Sequence, residues 1–148
     1  MFIGGGAMVE QIKVFIESNP DINVAYVGSL PLEKKNLGLA ACDIAIVSLE
    51  ADMSGLGVPS KAYFSMAADK PIVAVMDSSA EISMVVTEYE MGWCCDPNNP
   101  GALASVFDGI NKDDIYRLNG RPRSVLQEHF SEERSLAGYH ECIAELVT

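Results

Sequence analysis

Positive charge is scarce in this sequence. Its 148 residues include only 10 Lys and Arg against 21 Asp and Glu, which gives a formal net charge of −11 at neutral pH. That balance opposes binding to phosphate backbones and anionic membrane surfaces, because both attract clustered basic residues. We therefore expect no nucleic acid partner. The small basic group formed by Arg117, Arg121 and Arg123 is interpreted as a solvated helix face.

Long apolar runs are also missing. Runs such as residues 44–47 and 72–76 are far shorter than the ~18 residues that a membrane-spanning helix needs. Residues 1–6 carry neither the basic flank nor the long apolar stretch of a secretory signal. The sequence therefore predicts no transmembrane segment and a cytoplasmic location.

Cysteine and histidine are too few and too scattered to predict a disulfide framework or a metal site. Cys42, Cys94, Cys95 and Cys142 are unevenly spaced in apolar segments, which is typical of reduced core residues rather than of disulfides. There is no Cys-x-x-Cys pair, and both histidines lie in a predicted helical tail. We therefore predict no metal site.

Short apolar runs alternate with amphipathic stretches, a pattern typical of parallel strands joined by crossover helices. The predicted strands are residues 2–3, 23–27, 43–49, 71–76 and 92–95. The predicted helices are residues 7–18, 31–41, 59–69, 79–90, 100–110, 112–129 and 131–147. The two central strands are apolar almost throughout, which favours a sheet covered on both faces. We predict one α/β domain, residues 1–148, with a helical tail.

Local chemistry marks two of the helix starts. Asn99 followed by Pro100 offers a capping side chain and a first-turn proline. Ser131 followed by Glu132 and Glu133 places a capping oxygen and negative charge at a helix N-terminus. Both signals concern structure and carry no functional information.

Ligands of open parallel sheets bind at the carboxyl ends of the strands. Four predicted loops lie there, residues 4–7, 28–31, 50–59 and 77–80. The third is the longest, and Pro59 fits the first helical position, which would leave the amides of Ser60 and Lys61 as free donors. With the hydroxyl and ammonium of those two residues, this end is a candidate anion site. A flexible loop before an ordinary helix explains the same residues, so both interpretations stay open.

Other catalytic or cofactor patterns are weak or missing. A dinucleotide fingerprint needs a third glycine where Val9 follows Gly4 and Gly6, so a nicotinamide site has little support and a tight turn suffices. There is no nucleophile elbow, phosphate loop or Asp-x-Asp pair, and no catalytic residue is predicted. Glu50 and Asp52 flank the candidate anion site, although carboxylates in a loop are usually solvated.

The chain resembles the C-terminal domain of family 4 glycosyltransferases with the GT-B architecture. The resemblance is carried by Val-Pro-Ser-Lys at residues 58–61, followed by Met-Ala-Ala-Asp-Lys-Pro-Ile-Val-Ala at residues 66–74. Comparable segments follow the same order at residues 2–6, 23–28, 41–45, Glu81 with Gly92, and 130–133. It implies a Rossmann-like sheet that binds a nucleoside diphosphate sugar, in an enzyme that needs no metal or other cofactor.

The same resemblance implies that the chain is a fragment of a two-domain, hexosyltransferase-like enzyme. The N-terminal domain, which holds the acceptor and usually the catalytic base, would be absent, as would the first strand and helix of this domain. The fragment alone is then expected to be inactive. The whole enzyme is expected to act on a saccharide or lipid-linked acceptor in surface polysaccharide or glycolipid synthesis, in the cytoplasm or at the membrane through its N-terminal domain.

Residue by residue, the resemblance places the donor base at Gly28, Ser29 and Leu30, and the diphosphate and sugar at residues 57–61. The family's paired glutamates fall at Leu56 and Phe64, which are not acidic; Glu50 or Asp52 could supply a carboxylate from the long loop. The predicted donor-binding residues are Gly28, Ser29, Leu30, Glu50, Asp52, Gly55, Gly57, Val58, Pro59, Ser60, Lys61 and Phe64. The alternative is an inactive donor-like domain that serves as an interaction module.

Phe64 also yields a structural prediction. If Ala62, Met66 and Ala67 form the sheet-facing stripe of the predicted helix 59–69, helical spacing turns Phe64 away from the sheet. We therefore expect its ring to be exposed within this chain and available to another domain or a ligand.

Overall fold

Helices and parallel strands alternate along the chain, which confirms the predicted α/β class. The computed structural model describes residues 1–147; Thr148, the last residue of the predicted domain, lies outside the described residues. The chain divides into two compact units, one formed by residues 1–41 and one that begins at Cys42. Each unit has its own parallel sheet.

The first unit is a small βαβ arrangement in which β1 and β2 pair in parallel. Its elements are β1 (Phe2–Ile3), α1 (Val9–Ser18), β2 (Tyr26–Gly28), a 3-10 turn (Leu32–Lys34) and α2 (Lys35–Ala40). The second strand is shorter than the predicted 23–27 and ends later, at Gly28.

The second unit contains a three-stranded parallel sheet in the order β3-β4-β5 and the helical tail. Its elements are β3 (Ala45–Ser48), α3 (Lys61–Ala67), β4 (Ile72–Val75), α4 (Glu81–Glu88), β5 (Gly92–Cys95), α5 (Pro100–Gly109), α6 (Lys112–Arg117), α7 (Arg121–His129) and α8 (Glu132–Val147). The helical tail was predicted, and the structure confirms it.

The core of the second unit lies around the central strand β4. Ile72, Val73 and Ala74 of that strand are fully buried, and Met66 of α3 and Ile82 of α4 pack in the same core. The prediction that both central strands are covered on both faces is therefore right for β4.

For β3 the same prediction is wrong. Ala45 and Val47 are buried, whereas Ile46, 54% exposed, and Ser48 point to the open face. Since alternate residues of a strand face opposite sides, only one side of this edge strand meets the core.

Helices α3 and α4 end in the same way, with an acidic residue in the left-handed conformation. Asp69 has φ of 57° and Glu90 has φ of 47°. At each end, the amides of the acidic residue and of the residue after it donate back into the last helical turn. This is the Schellman arrangement, whose left-handed position usually holds glycine. The two carboxylates are thereby turned toward α7.

Asp69 caps α7 from outside that helix. Its carboxylate accepts hydrogen bonds from the backbone amides of Gly120, at 2.8 Å, and Arg123, at 3.3 Å. An acidic group at a helix N-terminus is favourable because it pairs free amides and faces the positive end of the helix dipole. The end of α3 therefore fixes the start of α7.

The three tail arginines, interpreted above as a solvated face, are exposed, but each has a partner. Arg121 Nη1 donates to a Glu90 carboxylate oxygen at 3.0 Å, and Arg123 Nε donates to the carbonyl of Ala67 at 3.3 Å. Arg117 pairs with Asp114 within α6. Two of the three arginines thus fasten α7 to α3 and α4.

The predicted helix 112–129 is wrong, because two helices occupy that stretch. Gly120, in the left-handed conformation with φ of 82°, separates α6 from α7, and Pro122 stands in the first turn of α7. Glycine before a helix-starting proline is a sequence signal for this break.

The two predicted helix starts are confirmed. The Asn99 side chain accepts from the amide of Ala102 at 3.0 Å, with Pro100 in the first turn of α5. Ser131 Oγ accepts from the amide of Arg134 at 3.3 Å.

All four cysteines are free thiols, but their predicted place in the core is wrong. Cys94 and Cys142 are exposed, because β5 is an edge strand and α8 is exposed along its described side chains; Cys42 and Cys95 are half-buried. Across residues 1–147, no helix has both the length and the apolar composition needed to cross a membrane.

Candidate functional site

The long connection from β3 to α3 forms two consecutive turns. The amide of Met53 donates to the carbonyl of Glu50 at 3.2 Å, and the amide of Leu56 donates to the carbonyl of Met53 at 3.1 Å. Asp52 and Gly55 have positive φ, 67° and 78°, as such turns require. Residues 50–56 are therefore held in two hydrogen-bonded turns.

This loop is tied to the loop that follows β4. Ser54 Oγ donates to a carboxylate oxygen of Asp77 at 3.3 Å, and the carbonyl of Asp77 accepts from the amide of Ala80 at 3.0 Å. Two of the four loops that the sequence singled out thus meet at the carboxyl edge of the sheet.

A cleft of about 410 Å³ opens where these two loops meet helix α4. Four predicted donor-binding residues line it, namely Gly55, Gly57, Val58 and Pro59. The other lining residues are Leu49, Leu56, Ser79, Ala80, Glu81, Ile82 and Met84. The cleft is the structure's candidate site, since its position matches that of ligand sites in open parallel sheets.

Glu81 supplies the carboxylate of the cleft. Its Oε1 accepts a hydrogen bond from the Tyr63 hydroxyl of α3 at 3.0 Å. The Tyr63 ring packs against Phe130, with ring centroids 5.6 Å apart. Because an aromatic anchor holds the hydroxyl, Glu81 is oriented from α3, and its second oxygen is left for another donor.

Tyr63 also makes stability depend on pH. Burial, followed by the hydrogen bond to Glu81 and the charge of that carboxylate, raises the Tyr63 pKa to about 12. The folded protein therefore holds this proton more tightly than the unfolded chain does, whose tyrosines titrate near pH ~10. The contribution of the protonated Tyr63 hydroxyl to folding stability is complete below pH ~10 and is lost as pH rises through about 12.

We expect Tyr63→Phe to lose less stability between pH ~10 and about 12 than the unsubstituted protein loses. The measurement is the urea midpoint of unfolding at a series of alkaline pH values. Tyr116→Phe, which removes the hydroxyl of an exposed tyrosine, is the matched control. An equal alkaline loss in Tyr63→Phe and in the unsubstituted protein would contradict this role of Tyr63.

Five predicted donor-binding residues of the second unit lie outside the cleft lining: Glu50, Asp52, Ser60, Lys61 and Phe64. Helix α3 begins at Lys61, so the prediction that Pro59 is its first residue is wrong. A turn precedes the helix instead, in which the amide of Ala62 donates to the carbonyl of Pro59 at 3.0 Å. Within residues 1–147, the Ser60 hydroxyl forms no capping bond. Lys61 is exposed and, within the part of the chain that the structure describes, forms no ion pair.

Phe64 is 63% exposed, which confirms the prediction that its ring is not covered within this chain. The buried stripe of α3 differs from the predicted one, because Ala62, Ser65 and Met66 are buried and Ala67 is exposed. What Phe64 packs against stays a prediction.

In the first unit, the structure brings the glycine turn and the predicted base-binding loop together. The amide of Gly4 donates to the carbonyl of Gly28 at 2.9 Å, and the Tyr26 hydroxyl donates to the carbonyl of Gly4 at 2.8 Å. Gly28 has φ of 81°, a conformation that side chains disfavour. Ser29 is exposed, whereas Leu30 is half-buried.

Leu30 has a structural role in this unit. A Cβ placed on buried Gly38 would lie 3.0 Å from Leu30 Cδ1, so the leucine side chain packs closely over that glycine. Leu30 is one of the three residues predicted to hold the nucleotide base, and part of its side chain packs within the first unit instead.

Sequence reasoning missed the contribution of α4 to the cleft, which includes Ile82 and the exposed side chain of Met84. Glu81 entered only as part of the resemblance. Ser79 and Ala80 do line the cleft, and both lie in the loop 77–80 that the sequence singled out because it follows a predicted strand. Among the described residues, no three His, Cys, Asp or Glu side chains lie close enough together to hold a metal ion.

Comparison with known proteins identifies a relative of this chain. No protein-family model matches the chain. Over 147 residues, which is 99% of the chain, it is 52% identical to the Pseudomonas aeruginosa protein named "Probable glycosyltransferase WbjE". The chain spans 37% of the length of that relative. By sequence, the chain is therefore a homologue of a segment of that protein.

Proposed function

We propose that the chain is the donor-binding part of a glycosyltransferase. It would hold a nucleoside diphosphate sugar whose sugar passes to a saccharide or lipid-linked acceptor. The observation that carries the proposal is the 52% identity, over 99% of the chain, to a protein named as a glycosyltransferase. The cleft at the carboxyl edge of the β3-β4-β5 sheet supports it, because nucleotide ligands of open parallel sheets bind there.

The chain's own contribution would be binding and orientation. The loop 49–60 and the start of α4 would enclose the donor, and Lys61 would place a positive charge near the diphosphate as it leaves. No metal or cofactor takes part in this proposal. The catalytic base and most of the acceptor site would come from an N-terminal domain, through which the cytoplasmic enzyme would reach the membrane for polysaccharide or glycolipid synthesis.

A second candidate is an inactive donor-like domain that acts as an interaction module. The exposed apolar side chains of Leu56 and Phe64 favour it, since the family resemblance would place acidic sugar ligands at both positions. A pure interaction module binds no nucleoside diphosphate, so binding of these ligands separates the two candidates.

Lys61 provides the direct test of donor binding. A charge-assisted contact with a diphosphate contributes about 1.5–3 kcal/mol, so Lys61→Ala should weaken binding about 10- to 100-fold. The net charge of −11 repels an anionic ligand, so its attraction must come from local basic groups. The loss of one such group should therefore be clear. Calorimetric titration with a panel of nucleoside diphosphates measures it.

The matched control is Lys112→Ala, which removes the same charge from the exposed start of α6. Titration at two salt concentrations separates a direct contact from the general field, because screening acts mainly on exposed charges. Equal affinities of the two variants, with the fold intact, would refute the role of Lys61. Absence of binding to every nucleoside diphosphate in the unsubstituted protein would refute donor binding itself.

A further inference from the structure

The walls of the cleft are largely apolar. Among the residues that line it, Leu49, Leu56, Val58 and Met84 have hydrocarbon or thioether side chains that are not fully buried, whereas Ile82 is buried in the core. Leu56 is 75% exposed and Met84 is 51% exposed, so both side chains can meet a ligand. Exposed apolar side chains around a concave site are typical of a surface that a ligand covers.

The polar side chains of the cleft are few. Ser79 contributes a hydroxyl and Glu81 contributes a carboxylate, one oxygen of which already accepts from Tyr63. These two groups can pair with some hydroxyls of a sugar ring. A hydroxyl that faces the exposed leucine and methionine side chains instead loses hydrogen bonds to water and finds no side-chain partner there.

A methyl group in the same place has the opposite effect, because its burial against apolar side chains is favourable. From this lining we propose that the cleft selects sugar donors that present a methyl group, namely 6-deoxyhexosyl nucleotides over their 6-hydroxy counterparts. The inference rests on the proposed donor-binding function. Glu81 then accepts from a ring hydroxyl, and the Leu56–Met84 wall, defined by those two side chains, contacts the methyl group.

The test compares matched donors that share one nucleotide and differ only at carbon 6 of the sugar. The 148-residue chain is titrated calorimetrically with such pairs for uridine, guanosine and thymidine diphosphates, and with each free nucleoside diphosphate. We expect the 6-deoxy member to bind about 10- to 100-fold more tightly with the preferred nucleotide, the range that one small group in an apolar pocket provides.

Variants locate the preference. Leu56→Gln keeps a side chain of similar length and adds hydrogen-bonding groups at an exposed position, so the affinity ratio should fall about tenfold while the fold persists. Met84→Gln makes the same change on α4 and should reduce the ratio in the same direction. Leu136→Gln, an exposed position on α8 outside the cleft, should leave the ratio unchanged.

The outcomes separate this inference from the proposed function. Equal affinity within each pair, or preference for the 6-hydroxy member, overturns the inference while nucleoside diphosphate binding still supports the function. If Leu56→Gln weakens the free nucleoside diphosphate as much as the sugar donor, the cleft holds the nucleotide and the inference fails. If no free nucleoside diphosphate binds, the proposed function fails and the inference fails with it.

Discussion

Gly92→Ala is expected to be the most destabilising single substitution considered for this protein. Gly92 begins β5 beside Ile72 of β4, and a Cβ at this position would lie 1.9 Å from the Ile72 carbonyl oxygen. Ile72 is fully buried, so its backbone can move only by disturbing the core and the β4-β5 ladder. Since overpacking against backbone cannot be relieved by a rotamer change, we expect a loss of about 3 kcal/mol or more.

That loss is a large share of the ~5–15 kcal/mol that stabilises a typical domain. Urea unfolding followed by circular dichroism gives the change in midpoint. Gly138→Ala is the control, because a Cβ there would meet none of the described residues within 4 Å and the residue lies inside α8. The control should be neutral or stabilising by about 0.5–1 kcal/mol. An unchanged midpoint in Gly92→Ala would mean that β4 and β5 are not paired as described.

The sequence predicted this fold well where pattern and propensity act locally. Apolar runs located all five strands of the described residues, and Asn99 and Ser131 marked helix starts that the structure confirms. The exposed face of β3 was not predictable in this way, because an apolar residue such as Ile46 looks the same in a central strand and in an edge strand. Strand order is set by long-range pairing, which periodicity does not encode.

The tail shows a second limit of local reasoning. Asp69 and Gly120 are 51 residues apart in sequence, yet their hydrogen bond fixes where α7 begins. From sequence alone, an acidic residue that follows a helix is expected to be solvated, because acidic residues are mostly exposed. Its capping role becomes evident only when the second helix is placed beside it. The sequence signalled the helix break at Gly120, whereas it did not indicate that Asp69 would accept the Gly120 hydrogen bond.

The candidate site was half predictable. The rule that ligands bind at the carboxyl ends of strands identified the loop with Gly55, Gly57, Val58 and Pro59, all of which line the cleft. The contribution of α4 was missed, because Met84 has the pattern of an ordinary residue of an amphipathic helix. Only the packing of α4 beside the loop makes its exposed side chain part of the cleft.

The second large effect expected is the loss of sugar transfer by the 148-residue chain alone. If the proposed function holds, donor and acceptor must be held together in a reactive geometry, and such positioning alone accounts for rate factors of about 10⁵ or more. The chain spans 37% of the relative that it matches, and among the described residues Glu81 is the only acidic side chain that lines the cleft. We therefore expect the isolated chain to bind nucleoside diphosphates without transferring sugar.

Transfer is measured with radiolabelled donors and a panel of saccharide and lipid-linked acceptors, with the full-length protein as the positive control. Donor binding by the isolated chain is measured in the same preparation, so that an unfolded sample is recognised. Binding without transfer is the expected pair of results, since the two functions require different parts of the enzyme. Transfer by the isolated chain at a rate near that of the full-length protein would contradict the division of labour proposed here, because the residues that activate the acceptor would then lie within these 148 residues.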